Sequence, residues 1–179
     1  MTVRVGTLAP VVPVPAYVPG APDPHVMSLA DLRDEWWAVL MFYPRDFTFV
    51  CPTELRALAE LHDDFEAAGA RVLAASTDSF WSHRAWFGSE PALRDVRYPV
   101  LADTAHALGN AFGVLEPDGS ALRATYVIDP AGALRHASVS DQSVGRSPAE
   151  TLRVLQALQT GELCPVDWRP GTPTLQLAA

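Results

Sequence analysis

The sequence predicts one α/β domain, and three observations carry that prediction. Short apolar runs alternate with stretches of helical period, one run is apolar almost throughout, and Gly and Pro punctuate the joins. A chain of 179 residues, 49% of them apolar, also supplies enough material for a single sizeable core.

The run 38–43, Ala-Val-Leu-Met-Phe-Tyr, is short and lacks the alternation of a half-exposed strand. It predicts a central strand buried on both faces and closed by Pro44. Leu55, Leu58, Leu61 and Phe65, at spacings of three and four, predict a helix over 53–68 that Gly69 stops. Further along, 71–77 reads as a strand, 79–87 as a helix, 98–102 as a short strand and 105–112 as a helix. Pro117-Asp118-Gly119 precedes a strand over 124–128, and Asp129-Pro130-Ala131-Gly132 turns it into 133–139, an antiparallel hairpin. Ser147-Pro148-Ala149-Glu150 joins an N-cap, a first-turn Pro and an early acid, so a helix carrying Leu152, Leu155 and Leu158 comes next and runs until Gly161.

The two ends read differently. Pro at 10, 13, 15, 19, 22 and 24 predicts that residues 1–25 run as extended, irregular chain over the surface, with regular structure starting near Val26. The Pro/Gly-punctuated tail after Trp168 is expected to be poorly ordered. The organisation expected is thus an extended segment 1–25, a folded domain 26–160 and a C-terminal tail 161–179.

Composition narrows the function. The net charge is −8, and all 13 basic residues are Arg, spread without a cluster that could track a phosphate backbone, so nucleic acid is not expected as a partner. The absence of Lys removes Schiff bases and the Walker A lysine. No apolar stretch is long enough to cross a bilayer and no export signal opens the chain; a soluble, cytoplasmic protein is expected. His25, His62, His83, His106 and His136 are scattered without ligand spacing, and two Cys are too few for a Cys-rich metal site, so no metal or cofactor is assigned. Cys51 and Cys164 form no Cys-x-x-Cys pair. They can be a structural disulfide or a redox pair acting at a distance, and a domain of this size has little need of a staple.

Cys51 falls between the central strand and the helix predicted over 53–68, at or within that helix's first turn, where Pro52 is tolerated. A thiol there meets the positive end of the helix dipole and free N–H groups, which favour thiolate. The competing reading is an inert Cys buried as a small hydrophobe.

Pro44, Thr48 and Cys51 match Pro-x-x-x-Thr-x-x-Cys, the motif of the peroxiredoxins, and Phe47-Thr48-Phe49-Val50-Cys51-Pro52-Thr53-Glu54 resembles its form in the typical 2-Cys, alkyl hydroperoxide reductase subfamily of bacterial type. The similarity continues through His83 and Trp86, Leu101-Ala102-Asp103, Arg123, Val144-Gly145-Arg146-Ser147 and Gly161-Glu162-Leu163-Cys164-Pro165. The resemblance implies a thioredoxin-like fold with a central mixed sheet flanked by helices, and a peroxidase that takes hydrogen peroxide and organic hydroperoxides. It further implies that Cys51 is the peroxidatic thiol, that Thr48 and the Cys51 N–H hold the peroxide, and that Arg123 polarises it. Pro44 shields the pocket, Glu54 orients Arg123, and Arg146 supports that network from further away. Cys164 of a partner subunit then resolves the Cys51 sulfenic acid, and an external dithiol protein, thioredoxin-like or a dedicated reductase, recycles the disulfide. A homodimer, or a ring of dimers, is implied.

Taken without the motif, Arg123 and Glu54 read as a surface ion pair and Thr48 as a plain N-cap. Two departures stand out. Glu90 to Pro99 occupies the place of the Gly-Gly-Leu-Gly insertion of peroxide-sensitive relatives, and after Cys164 the sequence runs only to Ala179, without a Tyr-Phe helix. Fast disulfide formation and resistance to over-oxidation are the expectation. The tail also lacks the second Cys that some actinobacterial relatives carry, which leaves the reductant open. Other activities compatible with the motif are a peroxide sensor or relay, and a holdase chaperone.

Overall fold

The computed structural model describes residues 3–176. Seven strands form one mixed sheet: β1 (Val14–Tyr17), β2 (His25–Met27), β3 (Trp37–Phe42), β4 (Ala70–Ser76), β5 (Val100–Ala102), β6 (Arg123–Ile128) and β7 (Leu134–Ser140), in the order β2-β1-β5-β4-β3-β6-β7. β3 lies parallel to β4 and antiparallel to β6, and β6 and β7 make the expected hairpin. The helices are α1 (Cys51–Glu60), α2 (His62–Ala67), α3 (Phe80–Ser89), α4 (Ala107–Phe112) and α5 (Pro148–Thr160).

Side chains alternate across a strand, and in β3 both faces are covered. Val39, Met41 and the following Tyr43 point to a core shared with Leu55, Leu58, Phe65, Trp86 and Leu155, which belong to α1, α2, α3 and α5. Ala38, Leu40 and Phe42 point to the other core, with Phe112 of α4 and Tyr126 and Leu134 of the hairpin. That is why the run is apolar at every position. The capping signals before α5 are used as expected: Ser147 Oγ accepts from the Glu150 N–H, and Gly161 closes the helix at φ 67°, a conformation that suits Gly.

Three expectations need correction. The Pro-rich segment is not merely draped over the surface: β1 lies inside the sheet between β2 and β5, with Val14 and Ala16 buried. Pro15 is compatible with this because it sits on extended chain, and pairing to β5 begins only at Ala16 and Tyr17. The helix over 53–68 is two helices parted at Leu61 (φ −102°, ψ 10°); Leu55, Leu58 and Phe65 satisfy the same apolar spacing on both sides of the break, so periodicity does not reveal it. The tail is ordered through the described residues. Trp168 is buried, its indole N–H donates to the Thr172 carbonyl, and Leu175 bridges back to Leu163. Residues 177–179 of that tail lie outside the described residues.

Residues 90–99 include a short 3-10 turn (Pro91–Leu93), with Leu93 and Val96 buried in the same core as Leu55 and Leu58 of α1.

Candidate active site

β3 ends at Phe42, and the Tyr43 N–H still donates to the Ala75 carbonyl of β4, so the chain leaves the sheet at a fixed point. The loop 44–50 then carries it into α1. Phe47 takes φ 55°, which costs a residue with a Cβ about 1–2 kcal/mol, and its ring rests 5.9 Å from that of Trp86. Pro44 is buried and Thr48 half-buried. Thr48 does not cap the helix: Val50 is the N-cap residue and makes no side-chain bond, whereas the Thr48 hydroxyl donates to the Arg45 carbonyl at 2.9 Å.

Cys51 is the first residue of α1 and fully buried. Its sulfur therefore sits at the end of the helix where amides lack intrahelical partners. Glu54, one turn on, shares that face. Arg123 opens β6, and its Nη1 stands 3.4 Å from Cys51 Sγ and 2.5 Å from Glu54 Oε2. Arg146, from the loop after β7, grips the same carboxylate with Nε (2.8 Å), Nη2 (3.0 Å) and its backbone N–H (2.7 Å), while Nη1 reaches the Ala124 carbonyl and the Thr125 hydroxyl. Burial pushes the Glu54 carboxyl up, but the hydrogen bonds and charge of Arg146, with the charge of Arg123, outweigh it and hold the group below the ordinary carboxylate range.

The electrostatics have a direction. Two buried guanidiniums face one buried carboxylate, leaving an excess positive charge beside the sulfur. The arrangement sets positive charge against the sulfur and against any oxygen bound beside it, where developing anionic character is stabilised. It is not the surface ion pair that Arg123 and Glu54 suggest in isolation.

Of the residues singled out from the sequence, Cys51, Glu54, Arg123 and Arg146 meet in one cluster, and Pro44 and Thr48 belong to the loop leading into it. Cys164 does not join them. It is half-buried against the end of α5, near the Thr160 hydroxyl (3.4 Å) and the Ala157 carbonyl (3.6 Å), beside an open groove of about 560 Å³, and both cysteines are free thiols.

Two features escaped sequence reasoning. Arg123 Nε donates to the main-chain carbonyl of Gln142 at 2.7 Å, a role no side-chain pattern announces. Beneath the loop, Asp46 accepts from the Tyr43 and Ser82 hydroxyls and pairs with His83 Nδ1 at 2.9 Å, which ties the loop to α3. Asp46 and His83 stand 37 positions apart in the chain, so there was no spacing to find.

Fold and site together define a thiol-dependent oxidoreductase: a mixed sheet between helices, with an isolated buried Cys at a helix start facing an arginine. The chain belongs to the AhpC/TSA family, whose model matches residues 5–137. It is similar to the thioredoxin peroxidase of Echinococcus granulosus, 43% identical over an alignment of 187 positions that spans 100% of this chain and 95% of that one. Alkyl hydroperoxide reductase C of Mycobacterium tuberculosis is 45% identical over 139 residues, 78% of this chain and 71% of that protein. Among solved structures, the reduced 2-Cys peroxiredoxin of Plasmodium vivax superposes with a TM-score of 0.91 at 32% identity, covering 96% of this chain and 92% of that one. AhpC of Mycobacterium tuberculosis gives 0.85 at 35% identity, covering 94% and 100%. The thioredoxin-like fold expected from the sequence is the fold of these relatives.

Proposed function

We propose that the chain reduces hydrogen peroxide and organic hydroperoxides as a thiol-dependent peroxidase, with Cys51 as the attacking thiol and Cys164 as the resolving one. The observation that carries this reading is the 3.4 Å approach of Arg123 Nη1 to Cys51 Sγ at the first position of α1. Membership of the AhpC/TSA family supports it.

In the first step the Cys51 thiolate attacks the terminal oxygen of the peroxide. An S–O bond forms as the O–O bond breaks, the transferred oxygen keeps its proton, and the departing hydroxide or alkoxide takes one from water. Cys51 becomes a sulfenic acid. Arg123 meets the charge as it moves from sulfur to oxygen, and the Cys51 amide adds a second donor. Thr48 gives its own proton to the Arg45 carbonyl, so its lone pairs are free to accept from the peroxide hydroxyl. Pro44 walls the loop side, and Glu54 with Arg146 fixes the position of Arg123.

In the second step the Cys164 thiol displaces water from the sulfenic sulfur, leaving a disulfide that an external dithiol protein reduces by exchange. The placement of Cys164 against α5, away from the Cys51 cluster, supports its delivery to the Cys51 of a second subunit in a homodimer or a ring of dimers. The peroxidase unit runs from β1 to α5, and the segment after Gly161 carries the resolving thiol. A reducing, cytoplasmic compartment suits two free cysteines.

The reading is tested by treating reduced protein with one equivalent of hydrogen peroxide and running a non-reducing denaturing gel beside Cys51→Ser and Cys164→Ser. A covalent dimer is expected in the wild type, with its doubly linked form missing from both variants. Loss of free thiols without dimer would put resolution within one chain or on an outside thiol, and would end the proposed pairing.

A further inference from the structure

The guanidinium of Arg123 is held at two places, and one of them is irregular chain. Glu54, on a helix, receives Nη1, whereas Nε donates to the carbonyl of Gln142 in the loop between β7 and α5. The Nε bond sets how the planar group is turned. Without it the plane can pivot on Glu54 and carry Nη1 away from the sulfur. That carbonyl lies in a turn closed by the Val144 N–H on the Asp141 carbonyl, and the Ser143 N–H of the same peptide donates to Asp141 Oδ1; these bonds are exposed, so a partly buried tie holds the carbonyl more firmly.

The side chain of Gln142 supplies it. Its amide Nε2 donates to Ser120 Oγ at 2.9 Å, and Ser120 is buried (1% exposed). Ser120 is itself pinned, donating to Asp118 Oδ1 from its hydroxyl (2.6 Å) and its backbone N–H (2.9 Å), which leaves hydroxyl lone pairs for Gln142. Those two Ser120 bonds, then the pair with Arg45, hold the Asp118 carboxyl down at about 2, so the anchor stays ionised through any assay range. Asp118 also accepts from Arg45 Nη2 at 3.0 Å, but that pair is largely exposed and screened by salt, so the shielded Ser120–Gln142 link is the firmer hold.

We infer that Gln142 is a positioning residue for the reaction at Cys51: its carbonyl sets the plane of Arg123, and its amide, anchored on Ser120, sets the carbonyl. The inference rests on the peroxidase reading of the site. It assigns a role to a side chain that touches neither the thiol nor its arginine directly, since only the backbone of Gln142 meets Arg123.

The test uses Gln142→Leu, which keeps bulk and removes the amide, with Ser120→Ala as a second route to the same loss. Rapid-mixing kinetics give the bimolecular rate of peroxide consumption by reduced protein. Alkylation by iodoacetamide across pH, in a Cys164→Ser background so that Cys51 alone reacts, gives a profile that a general loss of stability does not move. Each single variant should slow peroxide consumption about five- to twentyfold and move the alkylation profile to higher pH, because a misplaced donor weakens charge stabilisation without abolishing it. The double variant should be no slower than the worse single one, since both cut the same link. Folded Gln142→Leu with wild-type rate and profile overturns the inference, as do additive losses in the double variant. Should the wild type itself fail to consume peroxide, the peroxidase reading falls, while the alkylation profile still reports whether Gln142 holds Arg123 against the sulfur.

Discussion

Nη1 of Arg123 lies within reach of both Cys51 Sγ, at 3.4 Å, and Glu54 Oε2, at 2.5 Å, so a single nitrogen couples the thiol to the carboxylate that neutralises its arginine. Arg123→Lys keeps the charge but loses the planar fork that serves Glu54, Gln142 and the sulfur together. We expect the bimolecular rate of Cys51 oxidation to fall about 10²- to 10³-fold, the usual consequence of removing one transition-state donor. Rapid mixing with hydrogen peroxide measures it, and a loss under about twofold would exclude Arg123 from the chemistry.

Thr48 offers a cleaner separation of shape from hydrogen bonding. Thr48→Ser keeps the hydroxyl and should stay within about threefold of the wild-type rate, whereas the isosteric Thr48→Val should lose about 10- to 100-fold, because the lone pairs proposed to receive the peroxide hydroxyl are gone. Equal rates for Ser and Val variants would show that the hydroxyl serves only its bond to the Arg45 carbonyl.

Glu54 is the keystone of a buried cluster. Glu54→Ala leaves two guanidiniums without their counter-charge and should cost about 3–5 kcal/mol by chemical denaturation. Because the folded carboxyl is held below its ordinary value of 4.5, its contribution is complete above that pH and is lost as pH falls through the depressed value. Wild-type stability should therefore drop below about pH 4.5 more steeply than that of a folded Glu54→Gln variant.

A second acid sensitivity sits at a higher pH. His62 is buried on α2, its Nδ1 has no hydrogen-bond partner among the described residues, and burial holds its pKa below 6.5 against the opposing charge of Glu66. The unfolded chain thus binds a proton more readily, so stability is present above about pH 6.5 and declines as pH falls below it. Melting curves from about pH 7.5 to 5.5 should show a smaller decline for His62→Gln than for the wild type. Identical slopes would remove His62 as the cause.

Over-oxidation gives a further check on the proposed cycle. Leu93 and Val96 are buried with Leu55 and Leu58 in and beside a short turn, at the place where the sequence resemblance sets the glycine-rich insertion of peroxide-sensitive relatives. We expect Cys51 to resolve quickly and little sulfinate to accumulate during turnover at micromolar peroxide. Mass spectrometry of the Cys51 peptide decides it: stoichiometric sulfinate under those conditions would mean that resolution is slow.

The parts of the molecule legible in the sequence were those whose signal is local. The run through β3 spelled out a strand covered on both sides, and the motif from Pro44 to Cys51 located the thiol at the start of α1. The hidden parts depended on partners distant in the chain. Pro15 carries a loop signal by itself, and only pairing with His25–Met27 and with β5 makes a strand of its neighbours. The break at Leu61 leaves the apolar spacing intact. Gln142 acts through a carbonyl that every residue possesses, so its identity matters only once Ser120 is known to stand opposite. Trp168 looked like the start of a loose tail because its burial and its bond to Thr172 arise from chain folding back on itself.

The position of β1 also bears on how the polypeptide emerges from the ribosome. This strand precedes the other six in the chain, yet it pairs with Val100 and Leu101, and β3, near the middle of the sheet, needs β6 on its other side. Each joins segments far apart in the chain, a topology that slows closure. A nascent chain halted before β5 holds β1 and β2 without the strand that pairs with the other edge of β1, so the sheet around Val14 and Ala16 is incomplete. Stalled-ribosome complexes of increasing length should gain protease resistance only after Arg123–Ile128 has left the exit tunnel, so the interval of greatest aggregation risk in this protein falls before its peroxide site exists.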